Sequence, residues 1–372
     1  MHIMYVIDSL GIGGAERAAV DLANAAAKKG LGVSFCTTRY AGVLASELLP
    51  SITVYHLNRT KRFDWPAMWR FKRIVSNTQV DIIHAHMRST AAFMVFLKTI
   101  GWLEVPILLQ DHHGGVEIDF SIPKWLSWWG NRMIDRYVGV YPKLCQWARK
   151  VGFPTDKIDY VGHGMDLSRL APTRVVDVRR EFNLPKSRPV GIVVANIRLE
   201  KGIDLLIDLI ANSAIAQEAI FLFVGKEVDP TFSQLCRDLV AEHNLHHCIR
   251  FVGPRLDVPS LLRGVDFAVM PSRSESGPLV LIEYLAAGLP VVSFNVGDLA
   301  RQIAEKGVPG FAPLGDICAF RQELEDLLKM PPDKRARRGA AGCRIVEEHF
   351  SIESKLPEWL QVYQKLLSQG TS

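Results

Sequence analysis

Apolar residues fall into short runs separated by amphipathic stretches along the whole chain, an alternation that predicts strand and helix in turn. In the first half Ile3–Ile7, Val33–Thr37, Thr53–His56, Ile82–Ala85, Ile107–Leu109 and Tyr137–Val140 read as strands, and the helical stretches between them begin with Ala15–Lys28. The second half repeats the theme with Gly191–Ala195, Ala219–Gly225, Ile249–Gly253, Val265–Met270 and Pro290–Phe294. Strand then helix, repeated, implies parallel sheets with right-handed crossovers. The expected fold class is α/β, with two doubly wound, Rossmann-like halves. Between them the polar segment Asp166–Arg188, which contains Pro172 and Pro185, reads as the hinge. A last helix is expected over about Ser354–Leu367, after a stop at Glu348–Ser351. No short-period repeat or low-complexity tract interrupts this order.

Composition narrows the class. At 372 residues the chain exceeds what a single core usually supports, and 48% hydrophobic with 22% charged residues is the balance of a globular protein. The first apolar stretch is broken by Asp8 and has no basic leader, so no targeting segment is expected. The longest apolar helix candidate, Ala91–Leu97, ends at Lys98 and is too short to cross a bilayer. Cys36, Cys145, Cys236, Cys248, Cys318 and Cys343 are scattered, with no C-x-x-C pair and no metal-ligand spacing, which points to a reduced, cytoplasmic setting and to no bound metal.

The net charge of +5 is uneven: residues 1–165 hold 19 Lys and Arg against 13 Asp and Glu, and the remainder 25 against 26. Within the basic half, Arg59–Arg73 contains six basic residues, one acid and five large apolar groups, a mixture suited to an anionic surface. Trp125, Trp128 and Trp129 form a second aromatic stripe on a helix opened by Ser121 and Pro123. Each cation near an anionic membrane is worth about 1 kcal/mol, so reversible contact with the inner face of a membrane is one expectation. An amphipathic core helix with a solvated basic face is the other. No nucleic-acid module accompanies the patch, and nucleic acid is not an expected partner.

Chemistry concentrates after the strands. Glu275 falls just past Val265–Met270 and Glu283 lies eight residues on, inside the following helix. In an open parallel sheet, ligands bind outside the carboxyl ends of the strands, where helix amino termini also present free N–H groups to anions. There the carboxylates either grip sugar hydroxyls or stand as ordinary surface glutamates. Arg198 and Lys201 follow Gly191–Ala195 and precede a helix starting near Gly202, where two cations either neutralise a diphosphate or stand as ordinary solvated loop charges. Gly11-Ile12-Gly13-Gly14 ends the opening strand, where missing side chains either let amides approach phosphate or simply form a tight turn. It is not a dinucleotide fingerprint: Glu16 stands where the third glycine belongs, and Thr37-Thr38-Arg39 offers no acidic ribose ligand.

The segment Glu275–Glu283, continuing into Ala286-Ala287-Gly288-Leu289-Pro290, resembles the E-x7-E signature of retaining, nucleotide-sugar-dependent glycosyltransferases of family 4, which have the GT-B fold. Gly13-Gly14-Ala15-Glu16-Arg17, Asp81–His86, Pro106 followed by His112, Gly164-Met165-Asp166 and Arg198-Leu199-Glu200-Lys201-Gly202 match further landmarks in order, so the resemblance spans nearly the whole chain. It implies two Rossmann-like domains facing a cleft: an acceptor domain at 1–170, onto which the terminal helix at about 354–372 packs back, and a donor domain at 171–353.

By the same resemblance, Glu283 bonds the ribose hydroxyls and Glu275 the donor sugar, with Arg198 and Lys201 on the diphosphate. The backbone of Gly277, Leu279 and Val280 receives phosphate and sugar oxygens, since Pro278 stands where the family more often has glycine and has no N–H. Gly13 and Gly14 face the donor phosphates or sugar, and His112, or its neighbour His113, lies beside the anomeric centre. His84 and His86 are given only a supporting place, and His163 replaces the asparagine usual before Gly-x-Asp.

The implied reaction is metal-independent transfer of a hexose-type sugar, with retention, to a glycan or lipid-linked glycan of a cell-surface polysaccharide or glycolipid. No cofactor is needed; the donor is a UDP-, GDP- or ADP-sugar, and the Phe251–Leu256 segment implied to frame the base fits any of the three. The other readings are a non-catalytic glycan-binding protein, which has no need of Arg198, Lys201 and Glu283 together, and a nicotinamide-dependent oxidoreductase, whose glycine and acid signature is missing.

Overall fold

The computed structural model describes residues 1–11, 13–112, 130–171, 175–275 and 277–369. The chain divides into two units, Met1–Asp166 with Phe350–Ser372, and Leu167–His349.

The first unit is built on β1 (His2–Ser9), β2 (Gly32–Tyr40), β3 (Thr53–His56), β4 (Ile82–His86), β5 (Ile107–Asp111), β6 (Arg136–Gly139) and β7 (Ile158–Tyr160). They form one parallel sheet in the order β3-β2-β1-β4-β5-β6-β7. The central strands are largely apolar because helices cover both faces; Ile3 to Val6 and Ile82 and Ile83 are fully buried, and so are the polar exceptions His84 and His86 on β4. β7, which the sequence pattern missed, is a three-residue edge strand with an exposed or half-buried pattern, too short to leave a run of its own.

One face of this sheet is closed by helices Gly14–Lys28 and Ile352–Gln369. The terminal helix places Ile352, Leu356, Trp359, Val362, Tyr363 and Leu366 in the same apolar cluster as Ile3, Tyr5 and Val20. Burial of such side chains stabilises by roughly 1.5–3 kcal/mol each, which holds the last helix to the first unit. Its start is set at Ser351, whose Oγ accepts the Ser354 amide at 3.2 Å after helix Pro332–Phe350 ends.

The second unit carries β8 (Val190–Val194), β9 (Ile220–Val224), β10 (Ile249–Gly253), β11 (Phe267–Met270), β12 (Val291–Phe294) and β13 (Phe311–Ala312). The order is β10-β9-β8-β11-β12-β13, again with all pairs parallel. β11 begins two residues later than the apolar run suggests, because the Asp266 carboxylate instead accepts the Val190 amide at 2.7 Å and Arg179 at 2.9 Å. The segment expected as a hinge holds a 3-10 turn at Leu167–Leu170 and a short helix at Val178–Glu181, both grouped with this unit. In each sheet the first strand of the unit is central and the order reverses beside it, at β1/β4 and at β8/β11. Such switch points leave a crevice at the strands' carboxyl ends.

Candidate active site

In the second unit the loops leaving β8 and β11 meet at the switch point. The first carries a 3-10 turn, Leu199–Lys201, ahead of helix Ile203–Ala211; the second runs from Pro271 to helix Leu279–Ala286. They are laced together. The amides of Arg273 and Ser274 donate to Glu200 O at 2.8 and 3.3 Å, and the Arg273 guanidinium spans both oxygens of Asp204 at 2.6 Å each. Gly202 sits between them at φ +64°, where a Cβ would overlap the carbonyl oxygen of Pro271; a left-handed residue without a side chain is what the close approach requires.

That lacing brings Lys201 Nζ to 2.5 Å from Glu275 Oε1, and the Ser272 hydroxyl donates to the same oxygen at 2.9 Å. Only 17% of the lysine and 12% of the glutamate side chain is exposed, so the pair is screened far less than a surface ion pair. Oε2 of Glu275 has no hydrogen-bond partner among the described residues. On helix Leu279–Ala286, Glu283 receives Arg169 Nη2 at 3.2 Å, both side chains about one-fifth exposed. The buried Tyr284 beside it accepts the Val194 amide at 2.6 Å, which fixes this helix against the end of β8. The first amides of the helix, Leu279 and Val280, have no intrahelical acceptor, and Gly277 precedes them.

Arg198 stands apart. It is half exposed, its Nε is 3.7 Å from Glu200 Oε2, and although its carbonyl accepts the Lys201 amide at 3.0 Å, no side-chain hydrogen bond or ion pair among the described residues joins it to Lys201, Glu275 or Glu283. Lys201 and Glu275 are therefore the only pair, among these four, whose side chains the folded chain puts in direct contact. Sequence reasoning missed Arg169 and Ser272. The first had one signal, its place three residues after Gly164-Met165-Asp166; the second had none beyond its nearness to Glu275.

In the first unit, Gly13 precedes helix Gly14–Lys28 with an extended backbone, φ −161°. The carboxylate of Glu16 folds back to where a Gly13 Cβ would lie, so an acidic side chain lies against this positive helix end. Ile12 lies outside the described residues, as do His113, Trp125, Trp128 and Trp129.

His112 follows β5 and closes a column of imidazoles. The rings of His84 and His86, alternate residues on β4, stack at 4.4 Å; His86 and His112 follow at 5.4 Å, and His112 and His163 at 6.4 Å. His86 Nδ1 and His112 Nε2 share a hydrogen bond at 3.2 Å, and His84 Nδ1 meets the Tyr363 hydroxyl at 2.9 Å. Burial, the largest cause throughout, depresses all four: His84 to about 3, His163 to about 4, and His86 and His112 well below the ordinary histidine value. The column is neutral at pH 7 and offers hydrogen bonds without charge. Met87, next along, has φ +74°, a strained conformation for a side-chain-bearing residue at the carboxyl edge of the sheet.

Helix Trp65–Thr78, within the basic and aromatic run, is capped by Asp64, which accepts the Ala67 amide at 3.1 Å. Its Met68, Phe71 and Val75 are buried, while Phe63, Trp65 and Trp69 are each more than half exposed. Arg59, in the same run, is instead buried against Asp8. Among the described residues no helix is long and apolar enough to cross a membrane.

Two family models match the chain: residues 12–169 fit the one described as Glycosyltransferase Family 4, and residues 177–344 the one described as Glycosyl transferases group 1. The chain is 22% identical to N-acetyl-alpha-D-glucosaminyl L-malate synthase of Bacillus anthracis over 96% of this chain and 95% of that one. It is 26% identical to the O-antigen biosynthesis glycosyltransferase WclY of Escherichia coli, over 78% and 80%. Among solved structures, a glycosyltransferase from Rickettsia africae superposes with TM-score 0.81 at 19% identity, over 98% of both chains. Anabaena HepE in complex with UDP superposes with TM-score 0.80 at 17% identity, over 98% of this chain and all of that one. These structural likenesses carry the fold. With one family model on each half and the same two-sheet architecture, the chain belongs to glycosyltransferase family 4, transferases of the GT-B fold.

Proposed function

We propose that this glycosyltransferase moves a sugar from a nucleoside-diphosphate donor to a hydroxyl of a glycan or lipid-linked glycan, with retention of anomeric configuration and without a metal. The observation that carries the reading is the Lys201–Glu275 pair with Ser272, set at the switch point ahead of the helix that bears Glu283. Glu283 bonds the ribose hydroxyls. The amides of Gly277, Leu279 and Val280, together with Lys201 and Arg198, hold the diphosphate. As the bond from the anomeric carbon to the β-phosphate oxygen breaks, that oxygen gains negative charge, which Lys201 and Arg198 stabilise. Glu275 Oε2 is placed to accept a donor sugar hydroxyl. The acceptor oxygen enters from the face the diphosphate leaves, and the leaving phosphate takes its proton.

HepE's complex with UDP and WclY's role in O-antigen biosynthesis favour a nucleotide-sugar donor and a polysaccharide or glycolipid product. The exposed Phe63, Trp65 and Trp69 beside basic residues support contact with an anionic membrane. Thermal shift with UDP-, GDP- and ADP-sugars identifies the donor, since a ligand bound only by the native state stabilises it by mass action. Proton NMR of the product then reads its anomeric configuration, and EDTA tests metal independence. An inverted anomer or loss of turnover in EDTA would contradict the respective part of the proposal. Sedimentation with anionic vesicles tests the membrane contact: equal binding by a protein neutralised at Arg70, Lys72 and Arg73 would remove it.

A further inference from the structure

The first unit holds a cavity of about 580 Å³ that the donor chemistry does not use. It opens between the start of helix Trp65–Thr78 and helix Arg88–Thr99. Its walls are apolar: Phe63, Met68, Phe93, Val95 and Phe96 line it. The Phe63 and Phe96 rings meet edge to face at 5.0 Å, and Trp65 continues the aromatic rim 6.2 Å from Phe96.

One side is of opposite character. Arg39, near the end of β2, with Arg59 and Arg62 beyond the end of β3, lines the same cavity. Asp8 answers part of this charge, at 3.1 Å from Arg59 and 3.7 Å from Arg39, and leaves a net excess of two cations. Arg59 is 7% exposed and stacks 4.7 Å above Phe93, and its buried Nε has no hydrogen-bond partner. A buried guanidinium N–H without an acceptor is costly and calls for an anionic oxygen. Arginine clusters select phosphate groups by planar, paired donors. The size lies in the range of small-molecule sites, roughly 300–1,000 Å³.

We propose that this cavity binds the apolar chain of a lipid phosphate, the chain against Phe63, Phe93 and Phe96 and the phosphate against Arg39, Arg59 and Arg62, so that the acceptor glycan is carried on a lipid phosphate. The inference rests on the chain acting as a transferase on a lipid-linked acceptor. Because Arg39, Arg59 and Ser89 all lie at the carboxyl edge of the first sheet, the edge that also carries Gly13 and His86, the phosphate end is directed to the edge where acceptor chemistry is expected.

Calorimetric titration of the full-length protein with farnesyl phosphate, farnesol and inorganic phosphate, all below micellar concentrations, tests this. Farnesyl phosphate should bind at least about tenfold more tightly than either part alone, since chain and charge both contribute. In a series of alkyl phosphates, affinity should rise by about fourfold per added CH₂ until the cavity is filled. Ala92→Trp, made at an exposed wall position, fills the cavity with little risk to folding, and Arg62→Glu reverses one mouth charge. Each should weaken farnesyl phosphate binding about tenfold or more while nucleoside diphosphate binding is unchanged. Equal affinity for farnesol, equal affinity for inorganic phosphate, or indifference to Ala92→Trp would overturn the proposal, as would binding seen only on anionic vesicles. Failure of the wild-type protein to bind any nucleotide would instead sink the transferase reading and leave this result standing.

Discussion

Replacing Glu275 by Gln separates the two roles assigned to the Lys201–Glu275 pair. Glu275 Oε1 lies 2.5 Å from Lys201 Nζ, and less than one-fifth of either side chain is exposed. Unit charges 4 Å apart attract by about 4 kcal/mol at an effective dielectric of about 20. Desolvation of both groups offsets much of this, leaving a net of about 1–2 kcal/mol. An incoming diphosphate competes with Glu275 for the same ammonium. The amide of Gln keeps an acceptor for Ser272 and nearly the same shape, yet frees the cation. Nucleoside diphosphate should therefore bind Glu275→Gln about 5–30-fold more tightly, the ratio that 1–2 kcal/mol sets, and binding should become more sensitive to salt. Turnover should move the other way, falling about 10–100-fold, because a charged hydrogen bond to the sugar is lost. Lys201→Met should weaken the diphosphate and slow transfer together. Calorimetry with UDP, GDP and ADP and a coupled assay of nucleotide release read both quantities. Unchanged or weaker diphosphate binding in Glu275→Gln would refute the competition, and an active Lys201→Met enzyme would reduce the pair to a structural tie.

Three further outcomes follow from the geometry. Glu283→Ala should weaken nucleotide binding by about 10–100-fold, measured by calorimetry, whereas Arg198→Ala, a half-exposed residue outside the paired cluster, should mainly lower turnover. Gly202→Ala should destabilise the second unit by more than about 2 kcal/mol: a left-handed alanine costs about 1–2 kcal/mol before its Cβ meets the Pro271 carbonyl, so calorimetry should show an earlier transition. Acidification should destabilise the first unit. His84 titrates near 3 when folded against 6.5 when exposed, so the unfolded chain binds more protons below pH 6.5 and stability falls from there toward pH 3. Its slope is about 1.4 kcal/mol per pH unit for one such ring. Urea denaturation at pH 7.5 and 5.0 checks this, and His84→Gln should reduce the dependence; stability that rises on acidification would contradict it.

The fold was largely legible because its signals are local. A strand buried on both faces is apolar along most of its length, so Ile3–Ile7 or Ala219–Gly225 announces itself without knowledge of its neighbours. Edge strands such as Phe311–Ala312 need pair with one neighbour only and leave no such run. Of the candidate site, the sequence placed Glu275 beyond a strand, Glu283 on the following helix and Lys201 before another, since strand-then-helix order fixes the edge of the sheet on which a loop emerges.

Partnership is what the linear pattern leaves open. Lys201 meets Glu275 across 74 residues because β8 and β11 lie side by side and Gly202 lets their loops touch, and Arg169 meets Glu283 across 114 from the 3-10 turn Leu167–Leu170. The imidazole column likewise draws His84 and His86 from β4, His112 from the end of β5 and His163 from beyond β7. Periodicity therefore determined the elements and the edge on which chemistry could lie. Only the tertiary structure decided which charges neutralise one another and which rings lose their protons, because Coulombic and desolvation energies depend on distances and burial that chain order does not contain.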